Sequence, residues 1–317
     1  FGLNGSDAIE AAIKTCKMYR TLNKQIKKQA FVSFDQTYHG STELCLKLAG
    51  TNGVFTKTKT TIFSDKNHIL FKNVNSYEQI SDFEINTLRQ LKLLFETKGH
   101  LINALVQESV SWGSDFQTLS NDYWNQLKAL CNDYDVFLII DDIAMCGGKT
   151  GKLYGFNVEP DIFCVGKSFS GGYFPLSICC INEKLYNGIK NSSLMHGFTF
   201  SMHLPGIVSA NYYQTLLHTE NILEKNYSLI AKGQRIANNL PIKKFTNTGS
   251  VFCIKLKNSI PTSTLDNIFS KHNLNLGITW NPYEQDKIFW CIPFLADEEY
   301  FYKVEINLKS ALSDINK

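Results

Sequence analysis

Between Val136 and Ile181 the chain carries three short apolar runs, at 136–140, 162–165 and 176–181. Each is rich in β-branched residues and bounded by Gly, Pro or Asp, the pattern of buried strands. The first ends in Asp141 and Asp142, the second in Gly166 and Lys167. A carboxylate and an amine therefore stand at or just beyond strand ends. In open α/β sheets the carboxyl ends of the strands are where ligands bind.

Taken alone, Asp141-Asp142 also reads as an ordinary strand-to-loop cap, and a loop lysine is ordinarily solvated. The surroundings favour chemistry. Lys167 follows an apolar run and precedes Ser168-Phe169-Ser170-Gly171-Gly172, with no acidic partner nearby in sequence. A lysine kept from water and carboxylates loses part of its preference for the charged form. That suits it to attack an aldehyde.

This segment resembles the signature region of class III aminotransferases, which use pyridoxal 5'-phosphate (PLP). Their pattern is an apolar strand ending in Asp-Glu, a Gly-rich turn with Arg-Thr-Gly, then Pro-Asp-Ile, then Gly-Lys before Gly-Gly-x-x-Pro. Here stand Asp141-Asp142-Ile143, Gly148-Lys149-Thr150-Gly151, Pro160-Asp161-Ile162, Gly166-Lys167 and Gly171-Gly172-Tyr173-Phe174-Pro175. Asp142 replaces the usual Glu and Lys149 the usual Arg, both keeping charge, while Cys146-Gly147 departs further.

The resemblance implies an α/β protein of PLP-dependent transferase fold type I. Its central sheet would be mostly parallel, with helices on both faces and a small C-terminal α+β domain. An N-terminal part that family members carry would be missing. The division expected is 1–235 for the large cofactor-binding domain and 236–317 for the small one. Lys167 would hold the cofactor as a Schiff base, and Asp141 would keep the pyridine nitrogen protonated. Ile143 and Ala144 follow Asp141 in the cofactor-binding stretch.

Further matches lie outward from this centre. Asn4-Gly5-Ser6 opens a helix whose apolar face holds Ala8, Ile9, Ala12, Ile13 and Cys16. A Gly-Ser at a helix start is a ready anion site, though most such caps bind nothing; in the family the matching residues hold the PLP phosphate. Residues 30–34 read as a strand, followed by Tyr38-His39-Gly40, where the family's aromatic ring stacks on the cofactor and His39 would help orient the site. Residues 101–106 read as a strand ending near Glu108, which matches an acid near cofactor and substrate, although Ser109 replaces the family's Pro. Thr199 matches a residue that reaches the phosphate of the neighbouring subunit's cofactor, so a homodimer is expected.

Residues 83–95 and 119–134 have helical spacing, and strand, helix, strand in that order argues for a parallel sheet. Later come a helix at 205–224, a composition shift near 232–244, strands at 250–256, 274–278 and 287–292, and helices at 263–272 and 296–312. Residues 51–100 otherwise propose no chemistry.

A net charge of +3 is too small to argue for nucleic acid. The cluster Lys24-Gln25-Ile26-Lys27-Lys28 reads as a solvated helix end or loop. No apolar run reaches the ~18 residues of a membrane span. The nine cysteines include no C-x-x-C pair, and five lie in apolar runs, which reads as core thiols in a reducing compartment, the cytoplasm by default. No metal site is expected. The chain starts at Phe1, which suggests a truncated gene, a processed product or a fragment.

The expected activity is a ping-pong transfer of an amino group from a small-molecule amine donor to a keto or aldehyde acceptor. Trp290 falls where many relatives carry a carboxylate-gripping Arg, so the substrate would be apolar or extended, or another cation would grip it. The residues at 141–144 and 196–200 are most similar to diaminopelargonic acid aminotransferases. Two other readings stay open: a same-fold PLP enzyme such as an aminomutase or decarboxylase, and a shortened, catalytically silent PLP-binding protein.

Overall fold

The computed structural model describes residues 1–35, 37–50, 67–71, 79–110, 115–278 and 286–315. Period-two alternation along the strands decides what packs where. The large sheet contains β1 (Ala30–Phe34), β2 (His68–Phe71), β3 (Ile102–Glu108), β4 (Phe137–Asp141), β5 (Ile162–Val165) and β6 (Ile178–Ile181), in spatial order β2-β1-β3-β4-β5-β6. Neighbours run parallel except β6, which pairs antiparallel with β5. Every residue of β1, β3 and β4 is buried, as expected when helices cover both faces.

Ile9 and Ile13 of α1 (Gly5–Leu22) and Leu48 of α2 (Glu43–Leu48) cover one face, against Phe31, Ala104, Val106, Phe137 and Ile139. The residues between these, Val32, Leu105, Leu138 and Ile140, point the other way. They meet Leu91 and Phe95 of α3 (Ile80–Lys98) and Trp124 and Leu127 of α4 (Asn121–Asp133). Fully burying each such side chain contributes about 1.5–3 kcal/mol. The five residues expected on the inner face of α1 are all at most 3% exposed.

Arg20 ends α1 fully buried, an expensive place for a charge without partners. Its guanidinium donates to Asp135 Oδ2 at 2.6 Å, Asp135 O at 2.6 Å and Asn103 O at 3.2 Å, and lies 4.0 Å from the Phe137 ring centroid. In the basic cluster Lys24 and Lys27 are exposed past the end of α1, as expected, and Lys28 alone departs from the solvated reading. Its ammonium donates to the carbonyls of Gly99, Ile102 and Tyr134 at 2.9, 3.3 and 2.9 Å, two of which lie just past the ends of α3 and α4. Helix ends leave carbonyls unpaired, and a long flexible amine collects them.

After α5 (Glu183–Ile189), the helix expected at 205–224 is two, α6 (Leu204–Thr219) and α7 (Ile222–Asn238). They part at Asn221, whose φ of 50° is the left-handed conformation that asparagine tolerates better than most residues. A second, antiparallel sheet follows, in order β7 (Lys244–Thr248), β8 (Val251–Lys255), β10 (Lys287–Cys291), β9 (Gly277–Ile278). Its core joins Leu229 and Ile236 of α7, Leu265 of α8 (Thr262–Lys271) and Leu308 of α9 (Glu298–Ile315). Only Gly277 and Ile278 of the run expected at 274–278 pair as strand. No described helix is long and apolar enough to cross a membrane.

Candidate active site

Sheet register brings the first acidic side chains together. Glu108 at the end of β3 pairs with Asp141 at the end of β4, and Asp141 with Cys164 on β5. Asp141 is 7% exposed, and both its oxygens are held. Oδ1 accepts the Ile143 N–H at 3.1 Å, and Oδ2 lies 2.8 Å from His39 Nδ1. The carboxylate is the acceptor, so Nδ1 carries the hydrogen. His39 Nε2 is buried and has no hydrogen-bond partner among the described residues. The Tyr38 N–H donates to Glu108 Oε1 at 3.4 Å, so the loop after β1 reaches both acids.

Helix α1 starts beside them. Asn4 caps it by accepting the Asp7 N–H at 3.1 Å, and Ser6 Oγ accepts the Ser41 N–H at 3.1 Å. Glycines make the close approaches. A Cβ on Gly5 would lie 2.9 Å from Ile143 Cγ2, and one on Gly166 would lie 3.4 Å from the same methyl. Ile143 thus touches both the helix start and the residue before Lys167. Gly40 has φ +120°, and a Cβ there would meet Ser6 Oγ at 2.3 Å.

Lys167 stands two residues past the end of β5 with φ 43°, a left-handed conformation that costs a non-glycine residue about 1–2 kcal/mol. Its turn is pinned on several sides. Ser168 Oγ donates to Cys146 O at 2.7 Å. From α6, Ser209 Oγ donates to Ser170 O, Gln214 Nε2 to Phe169 O and Tyr213 OH to Gly147 O, at 2.8, 2.8 and 2.9 Å. Burial pushes the Tyr213 phenol up to about 12, so it remains a donor. These three α6 residues were not picked out from the sequence. The signal was there: three hydrogen-bonding side chains at i, i+4 and i+5 of an apolar helix.

The expectation that Lys167 is kept from water is not met within this chain, where its side chain is exposed. The withdrawn amine is Lys149. Burial lowers its pKa, and its Nζ donates to the half-buried Ala144's carbonyl at 2.8 Å. Asp142 turns away from Asp141's partners. It is fully buried, accepts Ser109 Oγ–H at 2.5 Å and Gly155 N–H at 3.0 Å, and burial pushes its carboxyl up to about 7.

Thr199 is not brought to the other candidates. It is exposed in a turn three residues after His196, whose Nε2 lies 2.7 Å from Asp7 Oδ1. Trp290 does not face the site either. It is 2% exposed in the second core and donates to Tyr300 OH at 2.9 Å. The cysteines are free thiols, and Cys291, expected in the core, is exposed at the end of β10. Among the described residues no His, Cys, Asp and Glu group could hold a metal ion.

An amine past one strand end, a held carboxylate on the next strand and the start of α1 thus meet at the carboxyl ends of the parallel sheet, where α/β folds bind ligands. The chain belongs to the class-III aminotransferase family, whose profile matches residues 2–302. The fold is accordingly fold type I of the PLP-dependent transferases, with its mostly parallel sheet. A Helicobacter pylori protein named adenosylmethionine-8-amino-7-oxononanoate aminotransferase is 29% identical over 237 residues, covering 71% of this chain and 52% of that protein. One of the same name from Buchnera aphidicola subsp. Baizongia pistaciae is 28% identical over 324 residues, covering 97% and 72%. Among solved structures, an (S)-enantioselective omega-transaminase from Thermomicrobium roseum superposes with TM-score 0.85 at 20% identity, covering 99% of this chain and 74% of that one. The chain spans about half the length of several curated relatives it matches.

Proposed function

We propose that this chain is a PLP-dependent aminotransferase moving an amino group from an amine donor to a keto or aldehyde acceptor. The observation that carries it is Asp141, buried and gripped by His39 and the Ile143 N–H, one strand away from the segment that presents Lys167. The residues present fit PLP. Gly5, Gly40 and Gly166 let the helix start, the loop after β1 and the Lys167 turn close up around Ile143 and Ser6, and His39 Nε2 is a buried polar atom with no partner among the described residues.

In this reading Asn4, Gly5 and Ser6 take the phosphate at the positive end of α1. Tyr38 packs on the ring, with Ile143 and Ala144 beside it and Glu108 close by. Asp141 keeps the ring nitrogen protonated, because an adjacent opposite charge favours the charged form. Bound PLP supplies an electron sink for the pair released as the donor's Cα–H bond breaks. Lys167 would hold the cofactor through its Nζ, and that amine would serve as base and then acid toward the donor's Cα proton. The hydrogen bonds from Ser209 and Gln214 hold the turn after Lys167, and so the backbone that presents its amine.

Thr199 would serve a second copy's cofactor in a homodimer. The exposed Met195, Phe198, Phe200, Met202 and Leu204 around it support that reading, since monomers rarely leave such a patch uncovered. We assign 1–235 to the cofactor-binding domain and 236–317 to the small domain, and the free thiols to a reducing compartment such as the cytoplasm. The acceptor is an extended oxo acid of the 8-amino-7-oxononanoate kind. Relatives bearing that name support this.

Borohydride reduction of the PLP-treated protein, followed by peptide mapping, tests the assignment. The label is expected on Lys167 and is lost in Lys167→Ala. Asp141→Asn should keep the label while turnover falls about 100-fold or more. Label on another lysine, or near-normal turnover in Asp141→Asn, refutes the reading.

A further inference from the structure

Asp7 is an acid where an anion is to bind. It sits one residue past Ser6, 3% exposed, and both of its oxygens are engaged. Oδ2 accepts the Leu3 N–H at 2.9 Å, and Oδ1 lies 2.7 Å from His196 Nε2. The other ring nitrogen, His196 Nδ1, lies 3.3 Å from Lys14 Nζ on the same helix. An ammonium has donors and no acceptor, so Nδ1 must accept from Lys14. The hydrogen is therefore on Nε2, which donates to Asp7. The chain of hydrogen bonds runs one way, from Lys14 through the imidazole to the carboxylate.

The geometry leaves little slack. A Cβ on Gly2 would fall 2.1 Å from Asp7 Oδ2, so the carboxylate fills the space beneath the bridge that ties Gly2 to Ser177. His196 begins the loop that carries Thr199, and Phe198 places its ring edge-on to the imidazole at 5.7 Å. Beyond it, Met195, Phe200, Met202 and Leu204 are at least 65% exposed. Among the described residues, the loop's hydrogen bonds to α1 run through His196.

We propose that His196 is a positioning residue that clasps the Thr199 loop to the first turn of α1 and holds the Asp7 charge off the phosphate end of the cofactor site. The proposal rests on the PLP reading above. Without the clasp, Asp7 keeps only the Leu3 N–H on Oδ2, and the charge on Oδ1 next to Ser6 loses the donor that stabilised it. A phosphate dianion is then repelled there, whereas a cofactor lacking phosphate is not. The loop also loses its tie, so Thr199 is no longer held at a fixed height on α1. Two consequences thus follow from one contact: selective loss of phosphate affinity, and loosening of the surface proposed to meet a second copy.

The test compares binding of PLP with binding of pyridoxal, which has the same ring and aldehyde but no phosphate, followed by absorbance. In His196→Ala, PLP affinity should fall about tenfold or more, the scale of a hydrogen bond to a charged group. Pyridoxal affinity should stay within about twofold. His196→Gln should restore PLP affinity to within about threefold, because its amide can donate to Asp7 and accept from Lys14. Lys14→Met guards against a His196→Ala that does not fold. It removes only the donor that fixes the tautomer, and should shift PLP alone by about threefold. Equal losses for both ligands, no loss for either, or no rescue by glutamine overturns the clasp. Native protein that binds neither ligand at Lys167 overturns instead the cofactor reading beneath it.

Discussion

Asp142→Asn isolates the cost of a buried acid beside the site. Asp142 is fully buried, and burial raises its carboxyl from an ordinary 3.8 to about 7, against the opposing pull of Ser109 Oγ–H and Gly155 N–H. From about pH 4 to about pH 7 the folded chain keeps a proton that the unfolded chain has given up. Stability therefore falls as pH rises through that window and is level above it. A displacement of about three pH units corresponds to a penalty on the order of 4 kcal/mol once the acid is ionised. Asparagine has the shape of the protonated acid and no charge to lose. Its oxygen can accept the Gly155 N–H while its amide donates to a rotated Ser109 hydroxyl, so both contacts survive. Urea unfolding of both proteins, followed by tryptophan fluorescence at several pH values, measures the difference. Near pH 5 the two should lie within about 1–2 kcal/mol, and near pH 8 the variant should be more stable by several kcal/mol, about 4 at most. A stability difference that does not change with pH would show that Asp142 is not ionising against its surroundings, and would refute the reasoning.

Two further substitutions test the scaffold. Gly40→Ala places a methyl 2.3 Å from Ser6 Oγ at a φ of +120°, so it should cost about 2 kcal/mol or more in urea unfolding and weaken PLP binding; an unchanged midpoint would mean that the glycine is not required. Arg20→Met leaves the carbonyls of Asn103 and Asp135 without their guanidinium, while the half-exposed Asp135 carboxylate keeps Gln25 and Lys184, and should cost about 1–3 kcal/mol, with Arg20→Lys restoring little because one ammonium cannot span both; full rescue by lysine would contradict the network as described.

The ends of β4 and β5 were legible because burial on both faces forces uninterrupted apolar runs, and because Asp141 and Lys167 break them abruptly. The face of α1 was legible because Ala8 to Cys16 keep helical spacing. What stayed hidden depends on distance in sequence. Nothing local to Lys28 says that three carbonyls from residues 99–134 converge on it. The split at Asn221 is a single-residue choice inside a continuous helical pattern. β7 is polar and half-exposed, so period two has little to write on. His196 stood in a recognisable motif, yet its link to Asp7 spans 189 positions and only the fold brings the two together. Trp290 showed the reverse hazard: a matching position whose side chain the packing turns inward.

The backbone at Lys167 has a consequence for anyone redesigning this chain. Its φ of 43° is one that glycine adopts freely and lysine does not. An optimiser rewarded only for folding free energy would write glycine there first and, with that single edit, delete the amine on which the proposed chemistry depends. Sturdiness and usefulness pull in opposite directions at this residue, so any stabilisation campaign has to lock position 167 before it begins.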